Sequence, residues 1–432
     1  MCEGLAPDAL TRAPHQPLSM VGQAVQAVPS EPNGKPAAVR ATVVHVMTDP
    51  GSLTFLSGQA SFIRDAGFAV HAVASPGEYL SYFRDKEGAT VHAVPMSRSI
   101  SPVRDVVALW RLCRVLRGIR PDIVHAHTPK GGLLGMLAAW ICGAPIRIYN
   151  LRGRRDEAAS GPIRHLLRLC ERTTCSLAHR VIPVSHSLRR GLIEDMICRP
   201  DKIKVLVGGS GNGVDATERF KPLAESVRLA TRARYQIPSE ALVIGFVGRL
   251  TGDKGIAELT RAWKRLREEE PRLHLLLAGD VDPASPAPRE IIAALEADPR
   301  VHRAGWDWNT PPLYAAMDVV ALPTYREGFP NVALEAAAMA LPIVATSVTG
   351  CVDAVQDGVT GLLVPARDAE ALGDALLRYL SNRMLRTAHG AAARRRVLAE
   401  FRREAIWGAI AGEYRDLVER RGPSCTRAVL RI

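Results

Sequence analysis

Two carboxylates eight positions apart, Glu327 and Glu335, flank the run Gly328-Phe329-Pro330-Asn331 and an Ala-rich stretch. A carboxylate can accept a pair of hydroxyl hydrogen bonds, each worth roughly 1.5–3 kcal/mol when charge-assisted, enough to orient a polyol. The strand-like Val319-Val320-Ala321-Leu322 leads into this turn, and Asn331 is placed to cap a helix running through Ala333 to Ala340. Free backbone N–H groups should then face the turn and favour phosphate. Glu327 falls in the loop at the helix mouth and Glu335 in the first turn, so that one acid suits a sugar and the other a ribose. Each also has a plainer account, as a solvated loop acid and as a first-turn acid favoured by the helix dipole by about 0.3–1 kcal/mol.

A second set of residues lies upstream. The apolar run Val243-Ile244-Gly245-Phe246-Val247 enters Gly248-Arg249-Leu250-Thr251-Gly252-Asp253-Lys254-Gly255, after which Ile256 to Leu266 has the period of an amphipathic helix. Arg249 offers a planar fork and Lys254 a point charge, a pair suited to a diphosphate. The loop is neither a Walker loop nor G-x-G-x-x-G.

The first half of the chain repeats the strand-then-turn pattern. Ala41 to Val46 ends in Met47-Thr48-Asp49-Pro50-Gly51-Ser52, small residues at the carboxyl end of a strand, where α/β sheets bind ligands. Ile123-Val124-His125-Ala126-His127 stops at Thr128-Pro129-Lys130-Gly131-Gly132. His125 reads as a core histidine facing inward and His127 as the one at the strand's mouth. Between the halves, a strand-like Ile203 to Val207 precedes Gly208-Gly209-Ser210-Gly211-Asn212-Gly213-Val214-Asp215, whose glycines permit the close approach a cleft-lining linker needs.

The order Gly248-Arg249…Lys254-Gly255, then Glu327-x7-Glu335, then Gly358-Val359-Thr360-Gly361-Leu362-Leu363-Val364-Pro365 resembles the donor half of retaining glycosyltransferases of family 4, and the likeness spans about residues 40–420. The resemblance implies the GT-B fold and particular site residues. Arg249 and Lys254 would bind the nucleotide diphosphate, Glu327 the sugar hydroxyls and Glu335 the ribose. Gly328 and the backbone at Phe329, Pro330 and Asn331 would lie against sugar and phosphate, with Gly51 on the donor from the opposite side. His127 would approach the transferred sugar. The Asn212-Gly213-Val214-Asp215 run resembles the version found in enzymes that build capsular and lipid-linked glycans.

Length and patterning agree with two doubly wound parallel sheets, an α/β architecture with a cleft between two Rossmann-like domains. Residues 1–38, rich in Pro, Ala, Gln and Ser, read as a disordered extension lacking a signal peptide's features, with Met20 an alternative start. Residues 39–215 form the acceptor-side domain and 216–401 the donor-side domain. A helix over about 402–421 returns to the first.

Eight scattered cysteines without metal spacing read as reduced thiols. Asp280-Val281-Asp282 mimics a metal-binding D-x-D, but it enters a Pro-rich loop, and Arg249, Lys254 and a helix dipole suffice for a diphosphate; the expectation is no metal and no cofactor. Between residues 97 and 204, Lys and Arg outnumber Asp and Glu by 20 to 8, an excess equal to the chain's net charge of +12. Arg164, Arg168 and Arg172 trace one face of a helix whose other face carries Ile163, Leu166, Leu167, Cys170 and Leu177, and Arg111, Arg114 and Arg117 stand beside Trp110. Such a surface suits an anionic membrane, at about 1 kcal/mol per cation. No nucleic-acid motif is present, and 131–146 is too short to span a bilayer.

The expected activity is transfer, with retention, of a hexose or N-acetylhexosamine from a nucleotide sugar, UDP-linked by preference, to a polyprenyl-diphosphate-linked glycan. It would occur at the cytoplasmic membrane's inner face, in capsule, exopolysaccharide or O-antigen assembly. A soluble acceptor, a nucleotide-sugar epimerase and a non-catalytic sugar-nucleotide sensor remain as alternatives. Trp306 and Trp308 are expected to pack on the sheet.

Overall fold

The computed structural model describes residues 41–282 and 286–421; the expected disordered extension 1–38 lies outside them. Six strands, β1 (Ala41–Val46), β2 (Phe68–Ala74), β3 (Thr90–Ala93), β4 (Ile123–His127), β5 (Ile146–Leu151) and β6 (Arg180–Pro183), form one parallel sheet. Six more, β7 (Leu242–Val247), β8 (Leu273–Ala278), β9 (Val301–Gly305), β10 (Val319–Leu322), β11 (Ile343–Thr346) and β12 (Gly361–Val364), form a second. The orders β3-β2-β1-β4-β5-β6 and β12-β11-β10-β7-β8-β9 are one topology used twice. Strand order reverses between β1 and β4 in the first sheet and between β7 and β10 in the second, and the carboxyl ends at such switch points open a crevice. This is the doubly wound, two-domain architecture expected from the patterning, and it is the GT-B arrangement that the resemblance implies.

Helices cover both faces of each sheet, so the strands are apolar on both sides rather than alternating with polar residues. In β1, Val44 and Val46 enter one core and Ala41 and Val43 the other. In β7, Val243 and Val247 face one core, Ile244 and Phe246 the other. The long helix Arg403–Arg421 leaves the second domain at Phe401 and inserts Ile406, Ile410 and Tyr414 into the first domain's core. The linker meets it in passing: Val214 N–H donates to the Phe401 carbonyl at 2.9 Å.

Two local expectations fail. Ile203 to Val207 is not a strand; Ile203 makes a single bridge to Val181 after the turn Pro200–Lys202, and Val207 takes a left-handed backbone with φ 51°. The helix Asn331–Ala338 is capped by Pro330, not Asn331, which is already its first helical residue and makes no capping bond. Pro330 is extended (φ −76°, ψ 112°), which suits the residue preceding a helix. Glu335 therefore sits in the second turn.

Candidate active site

The acid and cation loops sit at the switch point of the second sheet. Arg249 and Lys254 follow β7, the latter in the tight turn Gly252–Lys254, and Glu327 follows the neighbouring β10. Gly255 holds φ 72° with its Cα against the Pro323 carbonyl, which locks the two loops together. The Thr324 hydroxyl and the Tyr325 N–H both donate to the Asp253 carbonyl, at 3.3 and 2.8 Å. As a result Lys254 and Glu327 form a partly buried ion pair. Arg249 pairs with Asp282, and Arg326 with Asp253 at 3.3 Å. The two cations expected to be available for a diphosphate thus each hold a carboxylate, one of them the acid assigned to the sugar.

Glu335 lies in the helix Asn331–Ala338 that follows the Glu327 loop. It lines a cavity of about 900 Å³ together with Asn331, the glycine ends of β7 and β9 (Gly248, Gly305) and Gly279 after β8. The Tyr314 hydroxyl donates to its carboxylate at 2.8 Å. Burial pushes the Glu335 carboxyl up to about 7, and the Tyr314 and Arg219 interactions offset only part of that. Trp306 and Trp308 do not pack on the sheet: they are 59% and 52% exposed and line the same cavity, their rings edge to face at 5.3 Å. The first domain closes the far wall with Tyr79, whose ring lies 6.1 Å from that of Trp308.

At the first sheet's switch point, β1 and β4 bring three imidazoles together. His45 stands beside His125 in register, and residues two apart on one strand share a face. His125 and His127 accordingly stack with centroids 4.2 Å apart, His125 as the expected core histidine and His127 buried beside it. All three are fully buried. His45 Nδ1 meets His127 Nε2 at 3.0 Å, and His125 Nδ1 meets the Tyr414 hydroxyl at 2.5 Å. Burial, reinforced by the charge of Arg152, lowers His45 to about 3 and takes His125 and His127 well below the usual histidine range. The rings are neutral, and their nitrogens lie within 4.8 Å of one another, a grouping that metal sites share. The nearby guanidinium opposes a dication there, and one nitrogen each of His45 and His127 is spent on the other ring. His127 is fully buried, not at an open mouth.

Gly51 is the second residue of the turn Pro50–Leu56, where its N–H donates to Asp49 Oδ1 at 2.8 Å, and Asp49 is itself held by Arg98. One tie between the domains is at Gly328. A side chain there would place its first carbon 1.8 Å from the Arg152 carbonyl oxygen, so the residue after Glu327 must be glycine for the loop to reach the end of β5. Phe329 beside it packs into cores of both domains and onto Phe401. A second tie runs from Asp353 to the start of the helix His186–Glu194, accepting from the N–H groups of His186 and Ser187. Sequence reasoning missed Arg152, Asp353 and Tyr79. For Arg152 one signal existed, its position immediately after a buried strand's carboxyl end.

A family model described as "Glycosyl transferase 4-like domain" matches residues 50–209, and one described as "Glycosyl transferases group 1" matches 241–382. The capsular polysaccharide biosynthesis glycosyltransferase CapM of Staphylococcus aureus is 32% identical over 377 residues, 87% of this chain and 97% of that protein. The chain is a family 4 glycosyltransferase. The resemblance carried by Arg249, Lys254, Glu327 and Glu335 is therefore borne out at the level of family and fold. The glycosyltransferase is also 25% identical over 321 residues, 74% of its length and 81% of the other's, to the UDP-Gal:alpha-D-GlcNAc-diphosphoundecaprenol alpha-1,3-galactosyltransferase of Escherichia coli. Among solved structures, Anabaena Alr3699/HepE in complex with UDP and glucose superposes with a TM-score of 0.72 at 20% identity, over 87% of this chain and all of that one.

Proposed function

We propose that this glycosyltransferase moves a hexose or N-acetylhexosamine, with retention, from a UDP-sugar to a polyprenyl-diphosphate-linked glycan. The observation that carries the reading is the cavity of about 900 Å³ floored by Glu335 and walled by glycine strand ends and two tryptophans. It falls within the roughly 300–1,000 Å³ usual for small-ligand sites, and the half-buried Glu335 carboxylate suits a ribose diol. The relatives support the donor and acceptor kinds: one is described as acting on UDP-Gal and a diphosphoundecaprenol-linked sugar, another as a capsular polysaccharide enzyme, and a structural neighbour holds UDP and glucose.

In this reading Arg249 and Lys254 exchange Asp282 and Glu327 for the oxygens of the diphosphate and take up the charge that develops as it leaves. Glu327, released from Lys254, accepts from sugar hydroxyls. Backbone N–H groups at the start of the helix Asn331–Ala338 add to the positive field. The acceptor hydroxyl attacks the face from which the diphosphate departs, and its proton passes to the departing phosphate oxygen, so no side-chain base is required. His127, fully buried as the last residue of β4, positions that strand end under the sugar.

The acceptor side supports a membrane-bound substrate. The helix Pro102–Ile119 exposes Val103 (79%), Val106, Val107 and Trp110 (60%) at helical spacing, with Arg104, Arg111 and Arg114 also exposed. The helix Pro129–Ile141 packs beside it and ends on exposed Trp140 and Ile141, and the next neighbour, Gly161–Leu177, exposes Ile163, Leu166 and Leu169. Arg168, expected on this surface, is instead spent on Asp156 and Asp195. Aromatic and aliphatic side chains rimmed by arginine suit an anionic lipid surface. Among the described residues no helix is long and apolar enough to cross a membrane. The inner face of the cytoplasmic membrane is the location this reading implies.

The test is UDP release from a panel of UDP-sugars, with and without polyprenyl-diphosphate-linked glycan. Release requiring one UDP-sugar and the lipid is the expected outcome. A new UDP-sugar formed without lipid, or tight UDP-sugar binding with no release under any acceptor, overturns it.

A further inference from the structure

Arg152 is a guanidinium for which the fold supplies no counter-charge. It follows β5 directly, at the carboxyl edge where β4 and β5 pair His127 with Asn150. Among the described residues no carboxylate lies within ion-pair distance of it. Its contacts are a long 3.4 Å donation to the Gly211 carbonyl and a stack 5.0 Å over the ring of Phe55, and its Nε is buried without a partner. Other arginines near the domain interface are paired: Arg154 with Asp156 and Asp195, Arg403 with Asp215, Arg326 with Asp253. A half-buried cation with no counter-charge is costly to the fold, and burial depresses Arg152 to about 10. Burial keeps His45, His125 and His127 from taking up protons, and the Arg152 charge adds to it, so those rings do not share the positive charge.

The position of this cation is as telling as its lack of a partner. The Arg152 carbonyl touches Gly328, the residue after Glu327, so the backbone carrying the guanidinium abuts the acid-bearing loop of the other domain. Phe55, on which the guanidinium stacks, lines the interdomain cavity, as does Asn212 beside Gly211. Arg152 therefore stands on the first domain's side of the crevice, across from Arg249 and Lys254, which each hold a carboxylate already.

We propose that Arg152 is an oxyanion-binding residue of the transfer site, contributed by the acceptor-side domain, whose ligand is a diphosphate. Its planar fork fits two phosphate oxygens at once. Because it belongs to the opposite domain from Arg249 and Lys254, engaging it couples the presence of diphosphate to closure of the two domains. Two diphosphates enter this cleft in the proposed reaction, that of the nucleotide and that of the lipid-linked acceptor, and the proposal rests on that reading.

The experiment compares wild type, Arg152→Gln and Arg152→Lys by calorimetry with two probes, UDP and farnesyl diphosphate, alongside melting temperatures. Arg152→Gln should bind at least one probe tenfold or more weakly than wild type, with Arg152→Lys recovering part of the loss. A loss confined to UDP assigns the residue to the donor diphosphate, and one confined to farnesyl diphosphate to the acceptor's. A folded Arg152→Gln that binds both probes within twofold of wild type overturns the proposal. If that variant does not fold, a folded Arg152→Lys with wild-type affinity for both probes overturns it equally, because a point charge does not replace the fork. Failure of the underlying reading looks different: wild type itself would release no UDP from any UDP-sugar.

Discussion

The Lys254 ammonium and the Glu327 carboxylate, 73 residues apart in sequence, form one partly buried ion pair between the loops after β7 and β10. Any diphosphate that recruits Lys254 must displace Glu327, and any sugar hydroxyl that recruits Glu327 must displace Lys254. A donor molecule can do both together, recovering two charge-assisted contacts for the one it breaks, whereas UDP without a sugar recovers only the first. Glu327→Gln should accordingly bind UDP more tightly, by up to about tenfold or 1.4 kcal/mol. It should still transfer sugar at least a hundredfold more slowly. Calorimetry and initial rates on the same preparation decide; weaker UDP binding in Glu327→Gln would show that the pair does not compete with the diphosphate.

Glu335 makes a second prediction, because its burial links function to stability. Its folded carboxyl titrates at about 7 against an ordinary value of 4.5. The folded state therefore holds its proton more firmly than the unfolded chain. The stabilisation this brings is complete below pH 4.5 and is lost as pH rises through 7, so stability at this site falls with rising pH. The size is on the order of 3 kcal/mol above pH 7. Glu335→Gln, which cannot ionise, should melt higher than wild type at pH 8 and nearly level with it at pH 4.5, while binding UDP more weakly at both. Equal melting temperatures at pH 8 would remove the argument that this acid is retained for ligand rather than for the fold.

Fold and family were readable because their signals are local. Val243 to Val247 and Ala41 to Val46 are apolar on both faces, so each declares a buried parallel strand, and the loops after them carry glycines at turns. Placement within the site was less readable. Arg249, Lys254, Glu327 and Glu335 can be named from spacing, but that Lys254 holds Glu327 depends on β7 and β10 being neighbours, which spacing does not reveal. His125 and His127 share one face by the two-residue period alone, but that His127 is buried and not at the strand's mouth depends on what packs around the end of β4. Arg152 is one arginine among many in a chain of net charge +12, and what distinguishes it, the lack of a carboxylate, is a property of tertiary structure. Trp306 and Trp308 look like core residues by composition, and only the position of β9 at the cavity edge exposes them.

That exposure leads to a third prediction. Tyr79 and Trp308 meet across the cavity from different domains, and aromatic pairs of this kind are worth about 0.5–1.5 kcal/mol beyond their buried area. Trp308→Ala and Tyr79→Ala should each weaken UDP binding by about two- to tenfold through loss of the closed arrangement. The double variant should be little worse than either single one. Additive losses would mean that the two residues touch the nucleotide separately and do not act on closure. In wild type, UDP should also change the tryptophan fluorescence, and Trp308→Ala should reduce that change.

The exposed stripe Val103, Val106, Val107 and Trp110 is the testable part of the membrane reading, because it lies outside the cavity and can be altered without touching the donor site. Trp110→Glu removes an interfacial aromatic and sets a negative charge among Arg104, Arg111 and Arg114. Co-sedimentation with vesicles containing anionic lipid should fall by about tenfold, given about 1 kcal/mol per cation near such a surface and a comparable loss for the buried ring. UDP affinity should stay unchanged. Transfer to a polyprenyl-linked acceptor in vesicles should decline, and transfer to the same acceptor dispersed in detergent should not, since detergent removes the need for docking. Vesicle binding at the wild-type level in Trp110→Glu would shift the acceptor's route to another face of the first domain, and a loss of UDP affinity would show that this helix supports the donor site instead.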